Sequence, residues 1–385
     1  MKRFLWLVRH HTLHGPLVLL REVFWKYLSF RLWPVMSGSL RAIAKTSKLQ
    51  SPKNFSPTNC IMLVRDGAAA DHYGGMGANQ TKNFERWMTE VVGVKTLIYL
   101  DSLDQYEFTE SKTVVIANYD WVINVVHNPL TGGLRKLSRV VAAARKSGTP
   151  IWCPLIDIFG IRYSFYTSIM AALSGGSNVL VQNTVAQAEK YGLVNPSGPH
   201  FWKLPPSTFD SWNQNSAWQT RERKILVPKS GDERRPDYYR AGLGRFSAAD
   251  YKVVMSDHSL NWEGYMQLVK SCRVATTTCW LQPFYLQGPQ RYRKLLADGH
   301  ITDRVWEAFA AGVTLVTSPV HALQELGFLP GLHYVAAPER QESWEGWALP
   351  SDSNLAQIAS RGHQRMYDLL SEEWGPALVA KTILV

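Results

Sequence analysis

The chain is 385 residues long, with 45% hydrophobic and 19% charged residues. That is too long for one ordinary core and ample for two, and the composition excludes a small stapled module, wholesale disorder and collagen-like repetition. The charge is less ordinary: 42 Lys and Arg stand against 31 Asp and Glu, a formal +11, which points to an anionic partner.

Most of that charge lies at the amino end. Residues 1–58 hold ten basic residues and one acid, Glu22, so this leader carries +9 and the rest of the chain only +2. A nearly neutral body lacks the basic stripe that a polyphosphate backbone needs, so nucleic acid is not an expected partner. The longest uncharged run of the leader, His10 to Leu20, is 11 residues, well short of the ~20 that span a bilayer. The apolar run Phe4 to Val8 is broken by Arg9 and is shorter than the ~7 residues of a signal-peptide core. Basic residues interleaved with Trp6, Phe24, Trp25, Phe30 and Trp33 suit a segment lying among anionic headgroups. Residues 1–36 are therefore expected to bind an anionic membrane surface peripherally, on the cytosolic face. Arg21, Lys26 and Arg31 step about 140° around a helix and share no face, so a helix docked on the body is the alternative.

The four cysteines, Cys60, Cys153, Cys272 and Cys279, form no CxxC pair and have no His in zinc-ligand spacing, so buried reduced thiols are expected. Residues 37–58 are polar and read as a linker.

Beyond the linker, short apolar runs alternate with helical stretches. Strands are predicted at Cys60–Val64, Lys95–Leu100, Val114–Ala117, Val122–Val126, Ile151–Ile156 and Val179–Gln182. Helices fall between them near Ala78–Val91, Leu134–Lys146, Ser164–Leu173 and Val185–Tyr191. The segment Pro205 to Thr220 breaks the pattern and reads as a hinge. The alternation then restarts with strands at Lys224–Val227, Lys252–Met255, Arg273–Thr277, Thr314–Thr317 and Tyr334–Ala336. Helices are predicted near Asp237–Leu243, Trp262–Ser271, Asp303–Ala311 and Leu323–Leu326, and closing helices after Ser351. The expected fold is α/β: two doubly wound, Rossmann-like parallel-sheet domains facing across a cleft. The divisions are 1–58 (leader and linker), 59–206 (amino-terminal domain), 221–350 (carboxyl-terminal domain) and 351–385. Ligands of open α/β sheets bind at the carboxyl ends of the strands.

The sharpest segment is Gly299-His-Ile-Thr-Asp-Arg-Val-Trp-Glu-Ala-Phe-Ala-Ala-Gly312, followed by an apolar strand. Thr302 fits a helix N-cap, and the helix start with Arg304 makes an anion site suited to a diphosphate. Glu307, one turn further in, can accept the ribose hydroxyls of a nucleotide held there. Ala310, Ala311 and Gly312 let the helix end close to the next strand. The plainer reading is an amphipathic helix with Val305, Phe309 and Ala310 in the core.

The stretch Arg304–Thr317, with Leu323-Gln-Glu-Leu-Gly327 and Gly331-Leu-His-Tyr-Val335, resembles the donor-binding region of GT-B glycosyltransferases of the group-one (family four) type and of the related spore-maturation-protein-like group. Asp71-His-Tyr-Gly-Gly-Met-Gly77 is similar to that family's Gly-Gly loop, and Asp120-Trp-Val-Ile-Asn-Val-Val-His127 to its strand ending in a His. The resemblance implies donor-binding roles for Gly74, Gly75, Lys229, Ser230, Thr302, Arg304, Glu307 and Gly312. Asp66 and His72 are general-base candidates if transfer inverts, and His127 would contact the sugar if it retains. The family commonly has a second Glu eight positions before Glu307; here that position is Gly299, which leaves its role to Asp298 or Asp303 or unfilled.

The implied activity is transfer of a sugar from a nucleotide-sugar donor to a lipid-linked or cell-envelope glycan or glycolipid acceptor. The chain has no Asp-x-Asp pair, so no metal and no other cofactor is expected, and cations and backbone N–H groups would stabilise the leaving diphosphate. A nucleotide-sugar epimerase of the same fold and a non-catalytic nucleotide-sugar-binding scaffold are the alternatives.

Overall fold

The computed structural model describes residues 60–64, 76–92, 96–99, 113–116, 151–155, 179–181, 201–213, 217–228, 235–256, 260, 262–277, 301–317, 321–338 and 344–374. The first group of elements is β1 (Cys60–Val64), α1 (Met76–Glu90), β2 (Thr96–Tyr99), β3 (Thr113–Ile116), β4 (Ile151–Leu155) and β5 (Val179–Val181). Helix α2 (Pro206–Asn213) and a 3-10 turn (Trp218–Thr220) come next. The second group is β6 (Glu222–Pro228), α3 (Arg235–Ala248), β7 (Lys252–Ser256), α4 (Trp262–Ser271), β8 (Cys272–Thr277), α5 (Asp303–Ala310), β9 (Thr314–Thr317), α6 (His321–Glu325), β10 (Val335–Ala336) and α7 (Asp352–Trp374).

The strands build two five-stranded sheets, ordered β2-β1-β3-β4-β5 and β10-β9-β8-β6-β7. Every pairing within them is parallel. Counted within its own sheet, each has its first strand between its second and third, so both share one doubly wound order. In such an order the chain reverses its direction of travel at the first strand, and a crevice opens at the carboxyl ends of the first and third strands. For the second sheet those are β6 and β8.

The second sheet is covered on both faces because its strand residues alternate between two cores, as the period of two in a strand requires. Leu226, Ala275 and Leu315 point to one side, where Tyr265 and Val269 of α4, Val305 and Phe309 of α5 and Leu323 of α6 lie buried. Ile225, Val227, Val274 and Val316 point to the other, against Phe246 of α3, Trp344 and Leu355 and Ile358 of α7. Helix α7 serves both layers, since its Met366 and Leu370 belong to the first core. It covers residues 352–374 of the stretch expected to form closing helices, and residues 375–385 lie outside the described residues. Gly362 lets it lie against its neighbours: a Cβ there would come within 2.5 Å of the His333 carbonyl oxygen and 2.9 Å of the Phe309 ring.

Two sequence expectations change. The segment where the pattern was expected to break carries regular structure, helix α2 over Pro206–Asn213 and the 3-10 turn over Trp218–Thr220. Pro206 opens α2, a position where a missing N–H costs nothing, and Phe209 and Trp212 are buried at 1% exposure each. The polar character of the segment hid two aromatic residues spaced three apart, which share a helix face. Helix α3 also runs past Leu243 to Ala248, held by the buried ring of Phe246. The predicted strand Val122–Val126 and the helices near 134–146, 164–173 and 185–191 lie outside the described residues, as do the leader and linker.

Helix α2 is tied to α1 by polar contacts. The Glu90 carboxylate accepts from the Ser207 backbone N–H at 3.0 Å and its hydroxyl at 2.6 Å, satisfying donors at the start of α2. The Thr208 hydroxyl donates to Asn83 Oδ1 at 2.9 Å, and Arg86 donates to Thr208 at 3.3 Å.

Candidate functional site

Helix α5 begins at the carboxyl end of β8. The hydroxyls of Thr277, the last residue of β8, and Thr302 are hydrogen-bonded at 3.2 Å. Thr302 occupies the N-cap position with extended backbone (φ −80°, ψ 155°), but its side chain makes no capping bond. The hydroxyl expected to cap the helix is spent on the strand instead. Its neighbour Thr276 is buried and donates to the Leu226 carbonyl at 3.2 Å, pinning β8 to β6 beside the crevice.

Two predicted donor-site residues, Arg304 and Glu307, lie on this helix, and two more, Thr302 and Gly312, flank it. Arg304 lies in its first turn, half-buried, and makes no ion pair among the described residues. Glu307 lies one turn further in and is buried, at 8% exposure. Gly312 is at the other end. It adopts φ +60° and closes a C-terminal motif in which Gly312 N–H donates to the Phe309 carbonyl and Val313 N–H to the Ala308 carbonyl, each at 3.0 Å. Eight helical residues rise about 12 Å, so Gly312 lies at the amino edge of the sheet, away from Thr302. The structure gives Gly312 the task of stopping the helix ahead of β9.

Lys229 and Ser230 follow directly after Pro228, the last residue of β6, and lie outside the described residues, as do Asp66, His72, Gly74, Gly75, His127, Asp298 and Gly299. Asp66 follows β1 in the chain, and Gly74 and Gly75 precede α1.

Burial and neighbours set the state of Glu307. Withdrawal from water, and after it the Asp303 carboxylate one turn back, raise its carboxyl to a net value of about 7. Three groups act against it: the Tyr265 hydroxyl, Arg304 and Lys203. Tyr265, on α4, donates to Glu307 Oε2 at 2.8 Å. The Tyr265 hydroxyl is itself pushed well above its usual value, by burial first and then by the Glu307 charge, so it stays a donor. Oε1 of Glu307 has no hydrogen-bond partner among the described residues.

Asp303 is engaged. It forms an ion pair with Lys203, a nearly buried residue of the segment that leads into α2. Phe201 of that segment packs edge-on against Trp306 of α5, ring centroids 5.0 Å apart. One face of α5 therefore rests on residues 201–204, and the carboxylate proposed from sequence as a substitute for the missing Glu already has a cation.

Sequence reasoning missed Tyr265 and Lys203. Tyr265 stands 42 positions before its partner, in an unremarked amphipathic helix. A fold-level signal was present: α4 and α5 both start at the carboxyl edge and cover the same face, so residues one turn into each come together. Lys203 gave no such signal.

No group of three or more His, Cys, Asp or Glu able to hold a metal occurs among the described residues. No described helix is long and apolar enough to cross a membrane.

No protein-family model matches the chain, and no curated protein matches it in sequence. Solved structures do resemble it. The β-glucosyltransferase of T4 phage aligns with a TM-score of 0.48 at 13% identity, over 84% of this chain and 99% of that one. Anabaena HepE, solved in complex with UDP-glucose, gives 0.44 at 12% identity, over 84% and 97%. A glycosyltransferase from Rickettsia africae gives 0.39 at 9% identity, over 85% and 97%.

Proposed function

We propose that the chain is a glycosyltransferase that moves a sugar from a nucleotide-sugar donor to a lipid-linked or cell-envelope glycan, without a metal. The observation that carries this reading is a buried carboxylate, Glu307, engaged among the described residues only through Oε2 and lying one turn inside a helix that starts at the carboxyl end of β8. A nucleotide is a ligand that asks for both ends of such a helix turn. Its diphosphate takes the positive helix start and Arg304, and its ribose donates hydroxyls to Glu307.

In this reading Lys229, Ser230, Gly74 and Gly75 complete the diphosphate site from the ends of β6 and β1. Charge developing on the departing diphosphate is met by Lys229, Arg304 and backbone N–H groups already in place, which is where most of the rate enhancement would arise. Asp66 or His72 takes the acceptor proton if the anomeric configuration inverts; His127 contacts the sugar if it is retained. The leader, residues 1–36, keeps the enzyme on the anionic cytosolic face of a membrane near its acceptor.

The direct test is a panel of nucleotide sugars assayed for donor hydrolysis and transfer. Glu307→Gln should abolish donor use while preserving the fold, and unchanged turnover would sink the assignment. Gln is a better probe than Ala here, because its carbonyl can still accept from Tyr265 and no buried hydroxyl is orphaned. Removal of residues 1–36 should release the protein from anionic vesicles; full retention would show that the leader does not bind membranes.

A further inference from the structure

We propose that Tyr265 is a positioning residue for Glu307: its hydroxyl occupies Oε2 so that Oε1 is presented to the ribose of the donor. This role rests on the nucleotide-sugar reading above.

The geometry of α4 supports it. Tyr265 is 6% exposed and its ring is held from two sides. Trp212 of α2 meets it edge-on with centroids 6.4 Å apart, and Trp262 lies tilted against it at 6.1 Å. A tyrosine has two side-chain torsions, and this packing restricts both. The hydroxyl is therefore fixed, and it fixes the carboxylate through the 2.8 Å bond. A bare carboxylate at this depth would rotate and would lose the proton-donating neighbour that favours its charged form. Among the described residues, the groups facing Glu307 are Asp303 and Arg304 on its own helix, Lys203 from the segment before α2, and Tyr265 from α4. Of these only Tyr265 touches the carboxylate among the described residues, so the orientation of Glu307 depends on it.

A buried acid that merely satisfies a buried hydroxyl would show the same bond, and the two roles differ in how they couple to the ligand. Binding of UDP, GDP, ADP and TDP would be measured by calorimetry on the full chain from pH 5.5 to 8.5. The proteins compared would be wild type, Tyr265→Phe, Glu307→Gln and the double variant. Phe keeps the ring and its contacts with Trp212 and Trp262, so the core is preserved, and near-ultraviolet circular dichroism would report that.

Wild type should bind one of the four, more tightly as pH rises through neutrality and Glu307 ionises. Tyr265→Phe should weaken that nucleotide roughly tenfold, the scale of one lost bond to a charged group, and move the midpoint of the pH profile upward. In the Glu307→Gln background, where no charge is left to orient or ionise, the same substitution should cost less affinity than in wild type and shift no midpoint. Nucleotide binding by wild type with Tyr265→Phe unchanged in affinity and midpoint overturns the positioning role alone. Equal losses in both backgrounds, with no midpoint shift, reduce Tyr265 to a packing residue. A wild-type chain that binds none of the four overturns the nucleotide reading itself, and the role of Tyr265 falls with it. Should Tyr265→Phe fail to fold, the wild-type profile still decides: binding that is flat across neutrality overturns the idea that an ionising Glu307 takes the ligand.

Discussion

Lys203 reaches from the segment before α2 to form an ion pair with Asp303, in the first turn of the helix that carries Glu307. The Lys203 side chain is 9% exposed and that of Asp303 30%, so the pair stands between a surface bridge and a buried one. It also holds a positive charge near Glu307, where two acids lie one turn apart.

Removing that cation should therefore act twice. Lys203→Met should lower stability by about 1–3 kcal/mol, seen as a lower urea midpoint at an unchanged slope. It should also raise the carboxyl of Glu307 further, since Lys203 favours the charged form. A urea midpoint equal to that of wild type would mean that the pair contributes nothing to the fold.

Glu307 makes stability depend on pH in a direction opposite to most carboxylates. Its folded value, about 7, lies above its value of 4.5 in an unstructured chain, so the native state holds the proton more tightly. The stabilising contribution is complete below about 4.5 and is lost as pH rises to about 7, a swing on the order of 3 kcal/mol. Glu307→Gln removes the titration, so the variant should melt above wild type at pH 8 and gain less or nothing at pH 5. Melting curves that shift equally at both pH values would contradict this.

Gly312 adopts a backbone angle of φ +60° that side chains resist. Gly312→Ala should cost about 1–2 kcal/mol through strain at the end of α5. A thermal midpoint identical to wild type would show that the turn can relax.

Gly362 is the tighter test, because the obstruction is backbone. The His333 carbonyl oxygen at 2.5 Å cannot move like a flexible side chain. Gly362→Ala should lift α7 from α5 and cost about 2–3 kcal/mol. The readout is amide exchange in α7, which should quicken along the helix; protection unchanged from wild type would refute the close approach.

Much of the second sheet was legible in its amino acids. Trp262–Ser271 and Thr314–Thr317 were bounded correctly from periodicity, because their apolar residues recur at one period. The strand before α5 was found one residue late, at Arg273, since Cys272 abuts the helix with no break between them. What stayed hidden depends on contacts far apart in the chain. Thr302 looks like a capping residue in any window, yet Thr277, 25 residues away, takes its hydroxyl. The helix within residues 205–220 is hidden in a polar stretch, since Phe209 and Trp212 are buried against a core built by helices that come later. The chemistry of Glu307 could be proposed from its place in α5, but its protonation balance needed Tyr265, Asp303 and Lys203 in three dimensions.

Helix α7 has one more consequence. Leu355 and Ile358 finish one core of the second sheet, and Met366 and Leu370 finish the other. During synthesis, a chain paused before Asp352 would leave apolar surface wet on both faces of a sheet whose strands are already made. Completion of that half has to await the emergence of α7, so a chaperone would find an opportunity there, and a nonsense codon before Leu355 would yield a chain with both cores unsealed.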